Sequence, residues 1–263
     1  MPVNTAEVAL QGEGRRLDAY LVAPEGAGRR PALIVVHEIW GLDDHIRDVA
    51  RRFAGAGYVV LAPDLYTGPW RQAMQPDRIM AGMQFLRQAP PEVQRDPSRL
   101  EPVLAEMSAE EAAAMRTLMR VMTAEQRQAF ARDLRHAVRF LQEQPNVDPA
   151  GVHCLGFCMG GGITAQLAAI EPSLRGAVVF YGENPPLDKV PAIEAKVLGL
   201  YGADDARITD TVPALAEAMA RADKPFSYHV YPGAPHAFFN DTRPTYRPEA
   251  ARDAMERVLD FLR

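Results

Sequence analysis

Two patterns of apolar residues alternate along the chain. Unbroken apolar runs at 32–36, 58–62 and 176–181 predict strands that are buried on both faces of a parallel sheet. Between such runs, apolar residues recur every three or four positions, which predicts helices with one buried face. Because strand and helix patterns follow each other to the C-terminus, the sequence predicts a doubly wound, mostly parallel α/β sheet with right-handed crossovers.

Two segments depart from this alternation. Residues 8–22 place glycines between two short strand patterns, and we expect an N-terminal β-hairpin there. Residues 67–122 are rich in Met, contain no strand-like run and include a capping box at 108–111, with a second one just beyond at 123–126. We predict a helical insertion within a single 1–263 domain. An adaptable lid over the active site is one interpretation of it, and an enlarged crossover is the other.

Composition narrows the classes of function. Of the 263 residues, 48% are hydrophobic and 24% are charged, with a net charge of −5, which is typical of a globular domain without a nucleic-acid or membrane partner. The two cysteines exclude a disulfide scaffold and a four-cysteine zinc site. With no signal-peptide pattern visible, we expect a cytoplasmic protein, monomeric or homodimeric, that acts on a small molecule.

The segment Gly156-Phe157-Cys158-Met159-Gly160 lies between a predicted strand and a predicted helix. It has the spacing of a nucleophile elbow, in which small residues on both sides allow a tight turn, with Cys in place of Ser. The following helix directs its N–H groups at the cysteine, which stabilises a thiolate. We therefore predict that Cys158 is a nucleophile and that the Met159 N–H helps to form an oxyanion hole. The alternative is a glycine-rich packing turn, and Cys154 is expected in the core.

Candidates for a base and an acid follow later in the chain. His236 lies between the last predicted strand and the last predicted helix, where the base of such a site is expected. Asp205 follows another buried strand and is our candidate for the acid that orients the imidazole, with Asp204 as its rival. His37 lacks the zinc-protease spacing. Four further histidines are expected at structural or surface positions: His45, His136, His153 and His229.

These motifs together resemble the dienelactone hydrolase family (carboxymethylenebutenolidases), cysteine hydrolases with the α/β-hydrolase fold. The resemblance covers nearly the whole chain and rests on five segments: 37–42, 62–66, 156–161, 202–205 and 232–238. It implies a triad of Cys158, Asp205 and His236, with an oxyanion hole formed by the backbone N–H groups of Ile39 and Met159. No metal or organic cofactor is implied.

The resemblance also implies a catalytic role for Glu38, since the family has a glutamate there that contacts the resting thiol, and substrate binding lets a carboxylate take the thiol proton. We expect His236 to take this proton either directly or through Glu38. We assign substrate binding to Trp40, Tyr181 and Asn240. Asn240 is a departure, because family members specialised for dienelactone have an arginine at this position, four residues after the catalytic histidine. A second such arginine has no clear match. The candidates for a cation that binds a substrate carboxylate are Arg71, Arg78, Arg87 and Arg243.

The sequence therefore predicts a hydrolase of carboxylic esters or lactones that works through a thioester on Cys158. One alternative is an esterase or thioesterase of broad range. Another is a non-catalytic protein of the same fold in which Cys158 is an oxidation switch.

Overall fold

The computed structural model describes residues 1–68, 70–89 and 97–263, and these residues form an eight-stranded sheet. Its strands are β1 (Val3–Gln11), β2 (Arg16–Pro24), β3 (Arg30–Val36), β4 (Val59–Pro63), β5 (Val147–Phe157), β6 (Gly176–Phe180), β7 (Lys196–Gly202) and β8 (Phe226–Tyr231). The order across the sheet is β1-β2-β4-β3-β5-β6-β7-β8. The predicted hairpin β1–β2 is antiparallel, β2 also pairs antiparallel with β4, and the remaining pairs are parallel.

Seven helices of ten residues or more accompany the strands in the described part of the chain. They are α1 (Asp44–Gly55), α2 (Pro76–Gln88), α3 (Ala109–Val121), α4 (Ala124–Gln142), α5 (Met159–Ala168), α6 (Val212–Arg221) and α7 (Pro248–Phe261). Single helical turns lie at Trp70–Ala73, Glu101–Leu104 and Ala206–Thr209, and 3-10 turns at Pro97–Leu100 and Leu187–Ala192. None of the described helices combines the length and the apolar character needed to cross a bilayer.

The helices cover both faces of the sheet, as the alternating pattern predicts. Along β3, Leu33 and Val35 belong to the apolar cluster that includes α1 and α7, whereas Ile34 and Val36 belong to the cluster that includes α4, α5 and α6. Successive strand residues point to opposite faces, so a strand covered on both sides needs apolar residues at every position. This explains the unbroken apolar runs and confirms the doubly wound α/β fold.

The insertion consists of α2 and α3, which pack tightly against each other. A Cβ atom at Gly82 of α2 would lie only 2.5 Å from Cδ2 of Leu118 in α3. Ser108 and Glu111 form both halves of the predicted capping box, whereas Thr123 only accepts the N–H of Gln126. Helix α2 was not predicted. Residues 69 and 90–96 of the predicted insertion lie outside the described residues.

The parallel strands end at one edge of the sheet, and the candidate site residues follow these ends directly. Glu38 comes after β3, Cys158 after β5, Tyr181 after β6, Asp205 after β7 and His236 after β8. Ligands of open α/β sheets bind at the carboxyl edge of the strands. The topology therefore brings together five residues that lie up to 198 positions apart in the sequence.

Candidate active site

Cys158 occupies a strained turn between β5 and α5. Its backbone angles are φ 55° and ψ −116°, in a region that residues with a side chain rarely adopt. The flanking glycines make the turn possible, because a Cβ at Gly156 would lie 2.1 Å from the Gly160 carbonyl oxygen, and a Cβ at Gly160 would lie 2.4 Å from the His37 carbonyl oxygen. The half-buried Cys158 side chain thus lies at the N-terminus of α5, in the geometry of a nucleophile elbow.

His236 and Asp205 lie together beside this turn. Asp205 is buried, and its Oδ2 lies 2.5 Å from Nδ1 of His236. Asp204 is exposed, and its backbone N–H donates to the carbonyl of Ala234 at 3.0 Å. Ala237 follows His236 with φ 61°, a second strained position that sequence analysis did not identify. The structure thus places Asp205, rather than Asp204, against the imidazole.

The imidazole of His236 interacts with two acidic groups. Burial lowers the pKa of His236, but hydrogen bonds to Asp205 and to Cys158, together with their charges, outweigh burial and raise the pKa to about 10. His236 is therefore protonated at neutral pH while Asp205 and the sulfur of Cys158 are its partners. An imidazolium beside the sulfur stabilises a thiolate there.

Ile39 and Met159 line the same cavity as Cys158. Neither Ile39 N–H nor Met159 N–H donates a hydrogen bond to any other described residue. Tyr66 packs behind both: its hydroxyl donates to the Ile39 carbonyl at 2.9 Å and lies 3.7 Å from Sδ of Met159. Tyr66 is a supporting residue that sequence analysis missed, although it lies within one of the segments that carry the family resemblance.

His37 holds the loop that contains Ile39. Its Nε2 accepts the N–H of Leu65 at 3.2 Å, so its Nδ1 carries the proton and donates to the Glu38 carbonyl at 2.5 Å. Burial lowers the pKa of His37, which keeps the ring neutral. His37 thus ties the end of β3 to the segment after β4 and has a structural role.

Glu38 is buried, lines the same cavity as Cys158 and is held by two residues. Its Oε1 accepts the Tyr181 hydroxyl at 3.2 Å, and its Oε2 accepts Nδ2 of Asn240 at 2.7 Å. Burial raises the pKa of Glu38, and the hydrogen bond from Asn240 opposes this rise. Tyr181 and Asn240 are themselves fully buried. The structure therefore places Asn240 as a partner of Glu38, and Asn240, for which we predicted substrate binding, is not among the residues that line the cavity beside Cys158.

A cavity of about 560 Å³ opens in front of Cys158 and His236. Trp40 forms part of its wall, and the guanidinium carbon of Arg243 lies 4.0 Å from the centre of the Trp40 ring. The helical insertion contributes the side chains of Met83, Arg87 and Met122. The cavity is large enough for a small organic substrate, and its apolar lining carries a few polar groups, as is typical of ligand sites.

Comparisons with known proteins identify the family. The profile of the dienelactone hydrolase family matches residues 17–263. The chain belongs to this family. It is 38% identical to a protein of Saccharolobus solfataricus provisionally named a carboxymethylenebutenolidase, over 98% of this chain and 97% of the relative. A relative in Methylorubrum extorquens with the same provisional name is 32% identical, over 98% of this chain and 80% of the relative.

A solved structure agrees with this assignment. The crystal structure of a provisionally named dienelactone hydrolase from Klebsiella pneumoniae is 30% identical, with a TM-score of 0.73 over 100% of this chain and 99% of that one. The family resemblance and the α/β-hydrolase fold predicted from the sequence are thereby confirmed. This member of the dienelactone hydrolase family is a hydrolase that acts on small molecules.

The arginines of this family member differ from the sequence-based candidates. Arg71 lies 2.9 Å from both Asp18 and Asp64, and Arg78 pairs with Glu110, so neither lines the cavity. The cavity is lined by Arg87 and Arg243, as proposed, and also by two arginines that were missed: Arg127 and Arg207.

The two missed arginines share one acidic partner. Arg127 lies 2.7 Å and Arg207 3.2 Å from the carboxylate of Glu183, which follows β6. The hydrogen bonds of these guanidinium groups are therefore directed, at least in part, at Glu183. No local sequence signal identifies such a cluster, because its members belong to three separate elements.

Proposed function

We propose that the protein hydrolyses carboxylic esters or lactones through a thioester intermediate on Cys158, with His236 as the base and Asp205 as the residue that orients it. The observation that supports this most directly is that Asp205 lies 2.5 Å from Nδ1 of His236, while His236 and Cys158, whose sulfur raises the His236 pKa, line the same cavity. This is the arrangement that activates a thiol for acyl transfer.

Acylation starts from the ion pair in which His236 already holds the proton of the Cys158 thiol and the sulfur is a thiolate. Both oxygens of Glu38 are held by Tyr181 and Asn240, so we propose that the proton passes directly to the imidazole and not through Glu38. The thiolate attacks the acyl carbonyl carbon, and the carbonyl electrons move to the oxygen. That oxyanion accepts hydrogen bonds from the N–H groups of Ile39 and Met159.

Collapse of the tetrahedral intermediate breaks the bond to the leaving oxygen. The leaving alkoxide or enolate takes the proton from His236, and the acyl group remains on Cys158 as a thioester. His236 then removes a proton from water, which attacks the thioester. The sulfur leaves as a thiolate beside the imidazolium, and the carboxylic acid is released.

The same cavity also supports a broad-range esterase or thioesterase. Asn240 is a neutral amide hydrogen-bonded to Glu38, so this position lacks the cation that dienelactone specialists have there. Met83 and Met122 offer a flexible apolar wall that suits varied acyl groups. Against this, Arg243 remains available beside Trp40 for an acidic substrate.

Acyl trapping on Cys158 tests the proposal. The protein is mixed with a panel of lactones and aryl esters, quenched in acid, and analysed by peptide mass spectrometry. We expect an acyl adduct on the peptide that contains Cys158, absent from Cys158→Ala and retained in Cys154→Ala. Turnover with no adduct in wild type, or an adduct that persists in Cys158→Ala, would refute the thioester mechanism. The panel also separates a lactone specialist from a broad esterase.

A further inference from the structure

Tyr181 is held in an unusual backbone conformation beside the candidate site. Its φ angle is 38°, a left-handed value that bulky residues rarely adopt, and its side chain is fully buried. The next position has room only for glycine, because a Cβ at Gly182 would lie 2.4 Å from backbone atoms of Gly161 and Gly162. The end of β6 therefore approaches the nucleophile helix closely, and this approach sets where the Tyr181 ring lies.

The Tyr181 ring contacts His236 edge-on. Their ring centres are 5.1 Å apart, with an angle of 62° between the planes. Three aromatic side chains pack around the tyrosine ring and limit its movement: Phe157, Phe180 and Phe238. Tyr181 is thus a rigid surface against the imidazole, separate from the Asp205 carboxylate.

A chain of hydrogen bonds fixes the far end of Tyr181. Its hydroxyl donates to Glu38, whose other oxygen accepts Nδ2 of Asn240. Both the N–H and the hydroxyl of Thr242 donate to Oδ1 of Asn240, at 3.0 and 2.7 Å. Because Oδ1 has these two donors, the orientation of the amide is determined and Nδ2 must face Glu38.

We propose that Tyr181 is a positioning residue for His236, anchored by the chain Glu38–Asn240–Thr242. The Asp205 hydrogen bond holds Nδ1 but tolerates tilting of the imidazole, since hydrogen bonds keep much of their strength over a range of angles. The edge contact with Tyr181 restricts this tilt and directs Nε2 at the Cys158 sulfur. The inference rests on the proposed function, and it gives Tyr181, which lines the cavity, and Asn240, which does not, a role beyond the substrate binding predicted from the sequence.

The variant Tyr181→Phe tests this role, because it removes only the anchoring hydroxyl. We expect kcat to fall about tenfold with KM little changed, since misplacement of a catalytic group slows the chemical step. The downfield proton NMR signal of the His236 Nδ1–H should also broaden or shift. Tyr201→Phe is the matched control, because the Tyr201 hydroxyl is buried and has no hydrogen-bond partner among the described residues. It should keep the wild-type kcat and the wild-type signal.

A second variant covers the case in which Tyr181→Phe does not fold. Thr242→Val leaves Tyr181 and Glu38 in place and removes one donor to Asn240, so kcat should fall about threefold with the same change in the His236 signal. Wild-type kcat and an unchanged signal in the folded variants would overturn the inference. Loss of kcat equal to that of Tyr201→Phe would also overturn it. Failure of the proposed function would give a different result from failure of this inference, because the Cys158→Ala variant would then still hydrolyse substrate.

Discussion

The carboxylate of Asp205 lies 2.5 Å from Nδ1 of His236, whereas the preceding Asp204 is exposed. The helical turn Ala206–Thr209 holds this register. Its Ile208 side chain is buried, and the Thr209 hydroxyl donates to the Gly202 carbonyl at 2.7 Å. Two adjacent aspartates, indistinguishable by charge, therefore occupy different environments.

The two aspartates should respond differently to the same substitution. We expect Asp205→Asn to lower kcat/KM at least about 100-fold, because an amide neither holds the required tautomer of His236 nor stabilises the imidazolium. Asp204→Asn should stay within about twofold of wild type, as exposed substitutions usually do. Steady-state kinetics with one ester substrate measures kcat/KM of both variants and of wild type. Comparable losses in the two variants would contradict the assignment of Asp205.

Substitution of the two cysteines should separate chemistry from packing. Cys158→Ala should lower kcat/KM at least about 1,000-fold and leave the melting temperature close to wild type, because the side chain is half-buried in a turn. Cys158→Ser should also be much weaker than wild type, since a hydroxyl is far less acidic than a thiol.

Cys154→Ala is the control for this pair. Cys154 is buried in β5 and lies 3.3 Å from the Thr164 hydroxyl, and burial raises its thiol pKa to about 12. We expect lower stability with retained turnover. Both quantities come from thermal melts and initial rates on the same preparations. A folded Cys158→Ala with most of the wild-type kcat/KM would rule out the nucleophile.

The insertion should control acyl preference through the residues that reach the cavity. Met122 lines the cavity and is 38% exposed, so Met122→Ala should change stability by less than about 0.5 kcal/mol. We expect it to change the ratio of kcat/KM between long-chain and short-chain esters by about threefold or more.

Met115 of α3 provides the contrast. It is buried between α2 and α3, next to Gly82, and it does not line the cavity. Met115→Ala should cost about 2–4 kcal/mol in the free energy of unfolding and leave the preference unchanged. Chemical denaturation and an ester panel measure both effects. A preference change in Met115→Ala alone would place the substrate elsewhere.

Arg243 should matter only for acidic substrates. Its guanidinium stacks on Trp40 at the cavity wall, where a charge-assisted hydrogen bond to a substrate carboxylate would be strong. We expect Arg243→Gln to lower kcat/KM about tenfold for a lactone that carries a carboxylate and little for a neutral ester. Arg71→Gln is the control, since Arg71 pairs with Asp18 and Asp64 away from this cavity. Equal losses for both substrates would indicate a structural role for Arg243.

His153 should make the fold sensitive to mild acid. Burial lowers its pKa from 6.5 to about 4, and both ring nitrogens are buried without a hydrogen-bond partner among the described residues. As the pH falls below 6.5, the unfolded chain binds a proton that the folded chain does not bind until about pH 4. The contribution of neutral His153 to the free energy of unfolding is therefore fully present above pH 6.5 and is lost as the pH falls from 6.5 to 4.

Replacement of His153 by leucine should remove this dependence. Between pH 7 and 4.5, we expect the free energy of unfolding of His153→Leu to fall by about 2–3 kcal/mol less than that of wild type. Urea unfolding at the two pH values measures the difference. The same fall in both proteins would show that His153 does not cause the acid sensitivity.

Features that depend on short-range interactions could be predicted from the sequence. β1 and β2 form the predicted hairpin, and Ser108 and Glu111 form the predicted capping box. The elbow at Cys158 is equally local, because its glycines lie two positions away on each side. Helix α2 was not predicted because its sequence lacks the usual signals. It begins at Pro76 without a side-chain cap, and its buried residues are only Ile79 and Gly82.

Only the tertiary structure decided which polar groups meet. Asn240 and Glu38 are 202 positions apart, and their hydrogen bond makes Asn240 a buried partner of Glu38. Arg71 is paired with Asp18 and Asp64, whereas Arg243, also a candidate, reaches the cavity. A guanidinium or an amide bonds to a group that the fold brings close to it, and burial determines the strength of that hydrogen bond or ion pair. The neighbouring residues along the chain determine helix caps and tight turns. They do not determine how far a guanidinium or an amide lies from its partner, or how deeply the two groups are buried.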